Sequence, residues 1–271
     1  MVHPSQGYRN VELMCIAAAR EIRDGEVVLA GLGLPLLAVT LAKLLHAPGA
    51  VFLTEAGVMD WQPVRGTRAP TGIADQVMNL GSAAFGDMAD ALGCALMGGN
   101  VDVAFLGAAQ VDRFGNLNTV VIGDYRDPVI KLGGTGGNTD AACLSRRTIV
   151  VMPHERRRFL ERVDFCTSPG YLDGPGARGR AGLDPQGPNV VVSSKGILRF
   201  DTPDGGRTGS CEMVLEALFP GVSVEEVSEA TGWPLRVSPH LQQVAPPTPE
   251  ELALLRELDP LGSFLAEGRY R

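Results

Sequence analysis

Four loops built almost entirely of small residues punctuate this chain, and they limit the folds open to it. They are GLGLP (31–35), TEAG (54–57), GAAQVD (107–112) and GGTGGN (133–138). The first three follow apolar runs of strand length: VVLAGLG at Val27–Gly33, AVFL at Ala50–Leu53 and VDVAFLGAAQ at Val101–Gln110. A further such run is TIVVMP at Thr148–Pro153. Continuous apolar runs suit strands buried on both faces of a parallel sheet. Segments with helical spacing alternate with them, Val11–Arg23 before the first and LLAVTLAKLLHA, just after Pro35, before the second. This alternation predicts an α/β fold: an open, mostly parallel sheet with flanking helices. Ligands in such sheets sit outside the carboxyl ends of the strands. The four loops therefore predict one composite site.

The rest of the chain reads less regularly. Thr67–Leu80 carries several turn formers and predicts a loop, and Ser82–Leu92 predicts a helix. A short helix is expected over Thr139–Leu144, and a short charged helix or turn over HERRRFLERV from His154. Asn189–Asp201 predicts a hairpin around Ser194-Lys195-Gly196. Ser223 with Glu226 forms a capping-box pattern, and Thr248 followed by Pro249 starts the last helix by the same chemistry. The 271 residues suit one large α/β domain or two small ones, and we take 1–271 as a single domain.

Charge and cysteine usage exclude several classes. The net charge is −7, which argues against nucleic acid as a partner, since phosphate binding needs clustered positive charge. Cys15, Cys94, Cys143, Cys166 and Cys211 are widely spaced and odd in number, with no CxxC, so neither a disulfide framework nor a zinc site is expected. No metal centre is predicted. The N-terminus lacks a signal-peptide pattern, and no apolar run approaches the roughly 18 residues of a membrane helix. These features predict a cytoplasmic protein away from membranes.

Among residues that could carry chemistry, Glu55 stands first. It follows the AVFLT run and precedes Ala56-Gly57, so a bulky ligand can approach it closely. Stripped of water, such a carboxylate is a nucleophile; the alternative is a salt-bridged or helix-capping glutamate. GLGLP fails the dinucleotide fingerprint at Leu36 and reads equally as a tight strand-to-helix turn. In GGTGG, four glycines in five residues leave backbone N–H groups unshielded, suited to an oxyanion or phosphate. Gln110 and the Asn116–Asn118 turn could fix an amide-rich ligand, though such residues more often satisfy turns. Arg156–Arg158 could reach a phosphate or form a solvated face. His154 could act as a base, but no GxSxG motif supports a hydrolase triad.

The segments VVLAGLGLPLLAV, FLTEAGVMDWQPV, FLGAAQVDRFGNLN, IGDYRDP, GGTGGN, VVMPHERRRFLERVDFCTSPGYLDGPG, VVVSSKGILRFD and VEEVSEATGWPL occur in order. With them the chain resembles the B subunits of class I CoA-transferases, most closely the glutaconate CoA-transferase type, from about Asn10 to about Phe264. The resemblance implies the superfamily's open α/β sheet and a catalytic glutamate in a Glu-small-Gly element, here Glu55. It implies a CoA and oxyanion role for the GxGG loop at Gly134, Gly136 and Gly137. The GxGxP turn maps to Gly31, Gly33 and Pro35, and the GGAQ element to Gly107–Gln110, with Ala108 in place of its second glycine. It also implies coenzyme A as substrate rather than resident cofactor, a glutamyl-CoA intermediate, and pairing with the CoA-transferase A subunit in a hetero-oligomer. The substrates would be an acyl-CoA and a carboxylic acid. Relatives of the same fold hydrolyse CoA thioesters, one by cleaving a steroid-derived ring. Another decarboxylates, with cysteine where this chain has Glu55.

Overall fold

The computed structural model describes residues 7–63, 70–202 and 209–265. The described chain forms two compact units, one up to Phe105 together with the residues from Pro246, the other Leu106–Ala245.

The first unit begins with α1 (Asn10–Ala19), buried from Glu12 to Ala19. Strand β1 (Val27–Leu29) leads into α2 (Leu34–Leu45), and β2 (Val51–Leu53) lies parallel to β1 with Val27 opposite Val51 and Leu29 opposite Leu53. β3 (Val58–Met59) and β4 (Ala84–Phe85) continue the sheet antiparallel beyond β2. β5 (Val103–Leu106), whose last residue opens the second unit, lies parallel to β1 on its other side. The core is Leu13, Ile16, Val28, Leu41, Phe52 and Val103, each almost wholly excluded from water. The C-terminal helix Pro249–Leu258 is tied back by Arg256 Nε on the buried Glu12 at 2.8 Å and by Arg20 on Glu251 at 2.7 Å. Burial alone would raise the Glu12 carboxyl, but Arg256 and the Arg9 N–H hold it below its ordinary range.

In the second unit β6 (Gln110–Asp112) pairs antiparallel with β7 (Leu117–Asn118), and β8 (Val121–Gly123) with β9 (Pro128–Lys131). After α3 (Asn138–Leu144) comes β10 (Arg147–Met152), then β11 (Phe159–Leu160), which runs parallel to β6. The short α4 (Ala177–Arg180) precedes β12 (Pro188–Ser193), β13 (Gly196–Phe200) and β14 (Met213–Leu218). α5 (Val224–Glu229) and β15 (Arg236–Gln243) complete the unit. The larger sheet here runs β10-β12-β13-β14-β15, with the expected hairpin between β12 and β13.

The α/β class is as expected: β5, β1 and β2 run parallel in the first unit, with β3 and β4 antiparallel beyond them, and in the second β10 runs parallel to β12 and β14 to β15. Several boundaries differ. The Val27–Gly33 run pairs only over Val27–Leu29, because the chain turns at Gly31–Gly33. The helix expected over Ser82–Leu92 begins later. Ala84–Phe85 pair with β3, and the Asp87 carboxylate accepts from Ala89 N at 2.8 Å and Asp90 N at 3.0 Å, starting a wide helix at Ala89–Leu96. The Val101–Gln110 run breaks at Gly107–Ala109 into β5 and β6, since Ala109 N turns to Asn118 O. Of the expected loop Thr67–Leu80, Thr67–Ala69 lie outside the described residues, and Gln76–Asn79 form a 3₁₀ turn capped by Asp75. The segment after His154 is a turn whose Phe159–Leu160 joins a sheet. The capping boxes at Ser223 and Thr248 are both present. No described helix is long and apolar enough to cross a membrane.

Candidate active site

In the first unit two predicted loops leave adjacent strands at the same level. Ala30 N donates to Leu53 O at 3.0 Å, the last rung between the two strands. Beyond it the chain turns through Gly31-Leu32-Gly33. Gly33 takes a φ of +98°, a conformation that suits glycine, and its carbonyl accepts from Leu37 N at 3.2 Å to start α2. Gly31 is exposed, with no atom within 4 Å of where a Cβ would stand.

On the neighbouring strand, Thr54–Gly57 form a tight turn between β2 and β3. Gly57 N donates to Thr54 O at 3.0 Å, and Thr54 Oγ1 accepts from Val58 N at 3.1 Å. Glu55 is the first of the two central residues of that turn and is half-buried. Gly57 has a φ of +86°, and a Cβ there would lie 2.4 Å from the Gly86 carbonyl. Its own carbonyl accepts from Gly86 N at 2.8 Å. The turn is therefore pressed against backbone on its far side. Behind it the amine of Lys43, only 7% exposed, binds the Asp60 carboxylate at 2.5 Å and the Ala50 carbonyl, fixing the segment after β3.

In the second unit the Gly107–Gln110 element and the glycine loop come together. Asn138 Nδ2 donates to Gly107 O at 3.4 Å. Gly134 (φ +101°) donates its N–H to Thr119 O at 3.2 Å, and Gly136 also has a positive φ, +50°. Gly133 and Gly134 are exposed with open space beside them, while Gly137 is buried and caps α3 by accepting from Ala141 N.

Gln110 is buried, and its amide is spent within the protein. Oε1 accepts from Asn118 Nδ2 at 2.7 Å and Asp164 N at 3.1 Å, and Nε2 donates to Asp164 at 2.7 Å. Asn116 likewise serves its turn, donating to Asp112 and Leu172 O and accepting from Gly170 N and Leu172 N. These contacts support a holding role for the amides rather than direct ligand contact. Asp112, buried and with its carboxyl raised to about 6, also accepts from Phe114 N and Asn116 N.

His154 is not placed as a base. It is 2% exposed and stacks on Phe159 at 3.7 Å between ring centroids. Its Nε2 meets Thr231 Oγ1 at 3.0 Å, and that hydroxyl also reaches Val227 O at 2.7 Å. Nδ1 meets Ser193 Oγ at 3.0 Å, a hydroxyl that also reaches Gly196 O at 2.9 Å. Burial first, and Lys195 second, push its pKa down to about 3. The Arg156–Arg158 run is also engaged: Arg156 binds Thr231 O, and Arg157 and Arg158 bind Glu155 at 2.6 and 3.2 Å. Lys43, Asp60 and Asp164 carried no sequence signal, because each acts through a partner distant in the chain.

The Coenzyme A transferase family description matches residues 11–230. The chain belongs to the coenzyme A transferase family. This CoA-transferase is 38% identical over 264 residues to the B subunit of glutaconate CoA-transferase from Acidaminococcus fermentans, covering 95% of each chain. It is 36% identical to the B subunit of 3-oxoadipate CoA-transferase from Pseudomonas knackmussii, over 93% of this chain and 94% of the relative. The crystal structure of the A. fermentans glutaconate CoA-transferase superposes with a TM-score of 0.87 at 36% identity, over 96% of this chain and 98% of that one. The family resemblance read from the motifs is thereby established, and with it an enzyme of CoA transfer.

Proposed function

We propose that the chain is the glutamate-bearing B subunit of a heteromeric CoA-transferase, moving CoA from an acyl-CoA to a carboxylic acid through Glu55. The observation that carries this reading is the placement of Glu55 at a tight turn on the carboxyl end of β2, level with the open Gly31–Gly33 turn. The Glu55 carboxylate attacks the thioester carbonyl and expels CoA thiolate, leaving a mixed anhydride. The thiolate attacks the Glu55 carbonyl of that anhydride, giving a glutamyl-CoA thioester and releasing the first acid as its carboxylate. An incoming carboxylate then reverses both steps. Each attack builds negative charge on a carbonyl oxygen, which by the family resemblance N–H donors near Gly136 would stabilise, the Gly134 N–H being already spent on Thr119 O. Binding of the remote CoA body offsets the cost of the anhydride. Gly31, Gly33, Gly107 and Gln110 complete the proposed CoA-binding set, with Gln110 acting by holding backbone. No resident cofactor enters the scheme.

Two relatives act on dicarboxylates by name, so a dicarboxyl-CoA is the donor class to try first. The chain, reconstituted with the A subunit of its heteromer, is given acyl-CoA without acceptor and reduced with borohydride, then digested. Reduction of a glutamyl thioester to the alcohol is expected on the peptide containing Glu55 and on no other. An unmodified Glu55 peptide, with CoA released whether or not an acceptor acid is present, would instead identify a thioester hydrolase.

A further inference from the structure

We propose that Asp164 is a positioning residue for the glycine loop, acting through Gln110 and Gly123. The proposal rests on the reading of Gly134–Gly137 as a CoA contact. One carboxylate oxygen of Asp164, Oδ2, accepts from Gln110 Nε2 at 2.7 Å and from Gly123 N at 2.9 Å. The Asp164 N–H donates back to Gln110 Oε1 at 3.1 Å, so the two residues grip each other reciprocally. Gln110 Oε1 also takes Asn118 Nδ2, which donates in addition to Val121 O at 2.5 Å. Asn118 Oδ1 accepts from Val120 N at 3.0 Å. This Asp164–Gln110–Asn118 ladder fixes the backbone from Asn118 to Gly123.

That stretch is the root of the glycine loop. Val120 O accepts from Leu132 N at 2.8 Å, and Thr119 O accepts from Gly134 N. Thr119 is tied besides to Thr167, its N–H and Oγ1 each meeting Thr167 Oγ1 at 3.2 Å, and Tyr125 between the two strands stacks on Phe165 at 4.8 Å between ring centroids. The β8–β9 pair forms a two-stranded sheet of its own, and Val129 and Ile130 are 80% and 51% exposed. Two isolated strands are marginally stable in water. A charge-assisted anchor at the base, one carboxylate oxygen taking two donors, therefore helps to set where the loop begins. Displacement of a binding element by about 1 Å costs on the order of a hundredfold in rate when that element positions substrate.

Both donors meet the same oxygen, so Asp164→Asn keeps an acceptor for each, while Asp164→Ala keeps neither. The test uses the reconstituted heteromer, with thermal unfolding confirming that each variant folds. In Asp164→Ala, amide hydrogen exchange across residues 132–138 should rise and kcat/KM for the acyl-CoA should fall about tenfold, the value of one charge-assisted hydrogen bond. KM for the acceptor acid should stay unchanged, which a general loss of structure would not spare. Asp164→Asn should restore exchange and most of the kcat/KM. Unchanged exchange in Asp164→Ala, or an Asp164→Asn as impaired as the alanine variant, would overturn the proposal. Raised exchange with unaltered kinetic constants would leave the hold on the loop standing and remove the loop's role toward CoA.

Discussion

Gly31 and Glu55 stand at one level of two adjacent parallel strands, each two residues beyond the last ladder pair, Leu29 with Leu53. The two strands run about 4.8 Å apart, so what occupies position 31 borders the space in front of the Glu55 turn. Gly31 has an ordinary φ and nothing within 4 Å of a prospective Cβ. Gly31→Ala should therefore leave the melting temperature nearly unchanged, with a stability effect within about 0.5 kcal/mol. It should still raise KM for the acyl-CoA, because the methyl enters space reserved for ligand. A variant with wild-type KM would remove Gly31 from the CoA-binding set.

Gly57 behaves in the opposite way. Its φ of +86° strains any other residue, and an added Cβ would press within 2.4 Å of the Gly86 backbone. Neither obstacle is a flexible side chain, so backbone must move. Gly57→Ala is expected to destabilise the chain by at least about 1–3 kcal/mol and to lower activity with it, by displacing the Glu55 turn. Urea unfolding with an unshifted midpoint would show the turn to be more tolerant than its packing indicates.

The four small-residue loops and the strand-helix alternation were legible because they are local: each is written within a dozen residues. The position of Glu55 just beyond a strand was legible from the apolar run before it, and the capping boxes at Ser223 and Thr248 from their spacing. What the sequence hid is long-range. The short strands β6 to β9 and β11 are too brief to show periodicity, and they are held by contacts between residues distant in the chain, such as Gln110 with Asp164. Gln110 and His154 were read as possible ligand or proton-transfer groups, since nothing local reveals that their polar atoms are spent on Asp164, Ser193 and Thr231. The misplaced helix over Ser82–Leu92 arose because Gly86 and Asp87 divide a strand from a helix within an apolar stretch.

Glu55→Ala should abolish transfer in the reconstituted heteromer while leaving its thermal unfolding close to wild type, because Glu55 sits at a turn tip and is only half-buried. A nucleophile that forms both covalent intermediates cannot be replaced by binding alone. A fall in kcat smaller than about tenfold, or about 1.4 kcal/mol of barrier, would count against the nucleophilic role.

His154 gives the folded chain a built-in acid sensitivity. Unfolded, its imidazole titrates near 6.5; folded, it stays neutral until about pH 3. Below pH 6.5 the unfolded chain takes up a proton that the folded one refuses. The contribution of His154 is thus full above pH 6.5 and declines as pH falls toward 3, by up to about 1.4 kcal/mol per pH unit. Asp112 opposes it. Its carboxyl, raised by burial against the pull of its hydrogen bonds from 3.8 to about 6, stabilises the fold below pH 3.8 and loses that contribution as pH rises through 6. Comparing His154→Gln with wild type cancels Asp112 and every other group common to both. The variant should be the less stable at pH 7, having lost the Phe159 stack and a matched hydrogen-bond pair. The gap in urea midpoint should then narrow steadily from pH 7 to pH 4, because only the wild type is penalised by acid at this position. A gap that stays constant over that range would mean that His154 titrates alike in both states, and that burial of the neutral ring does not govern the acid limb.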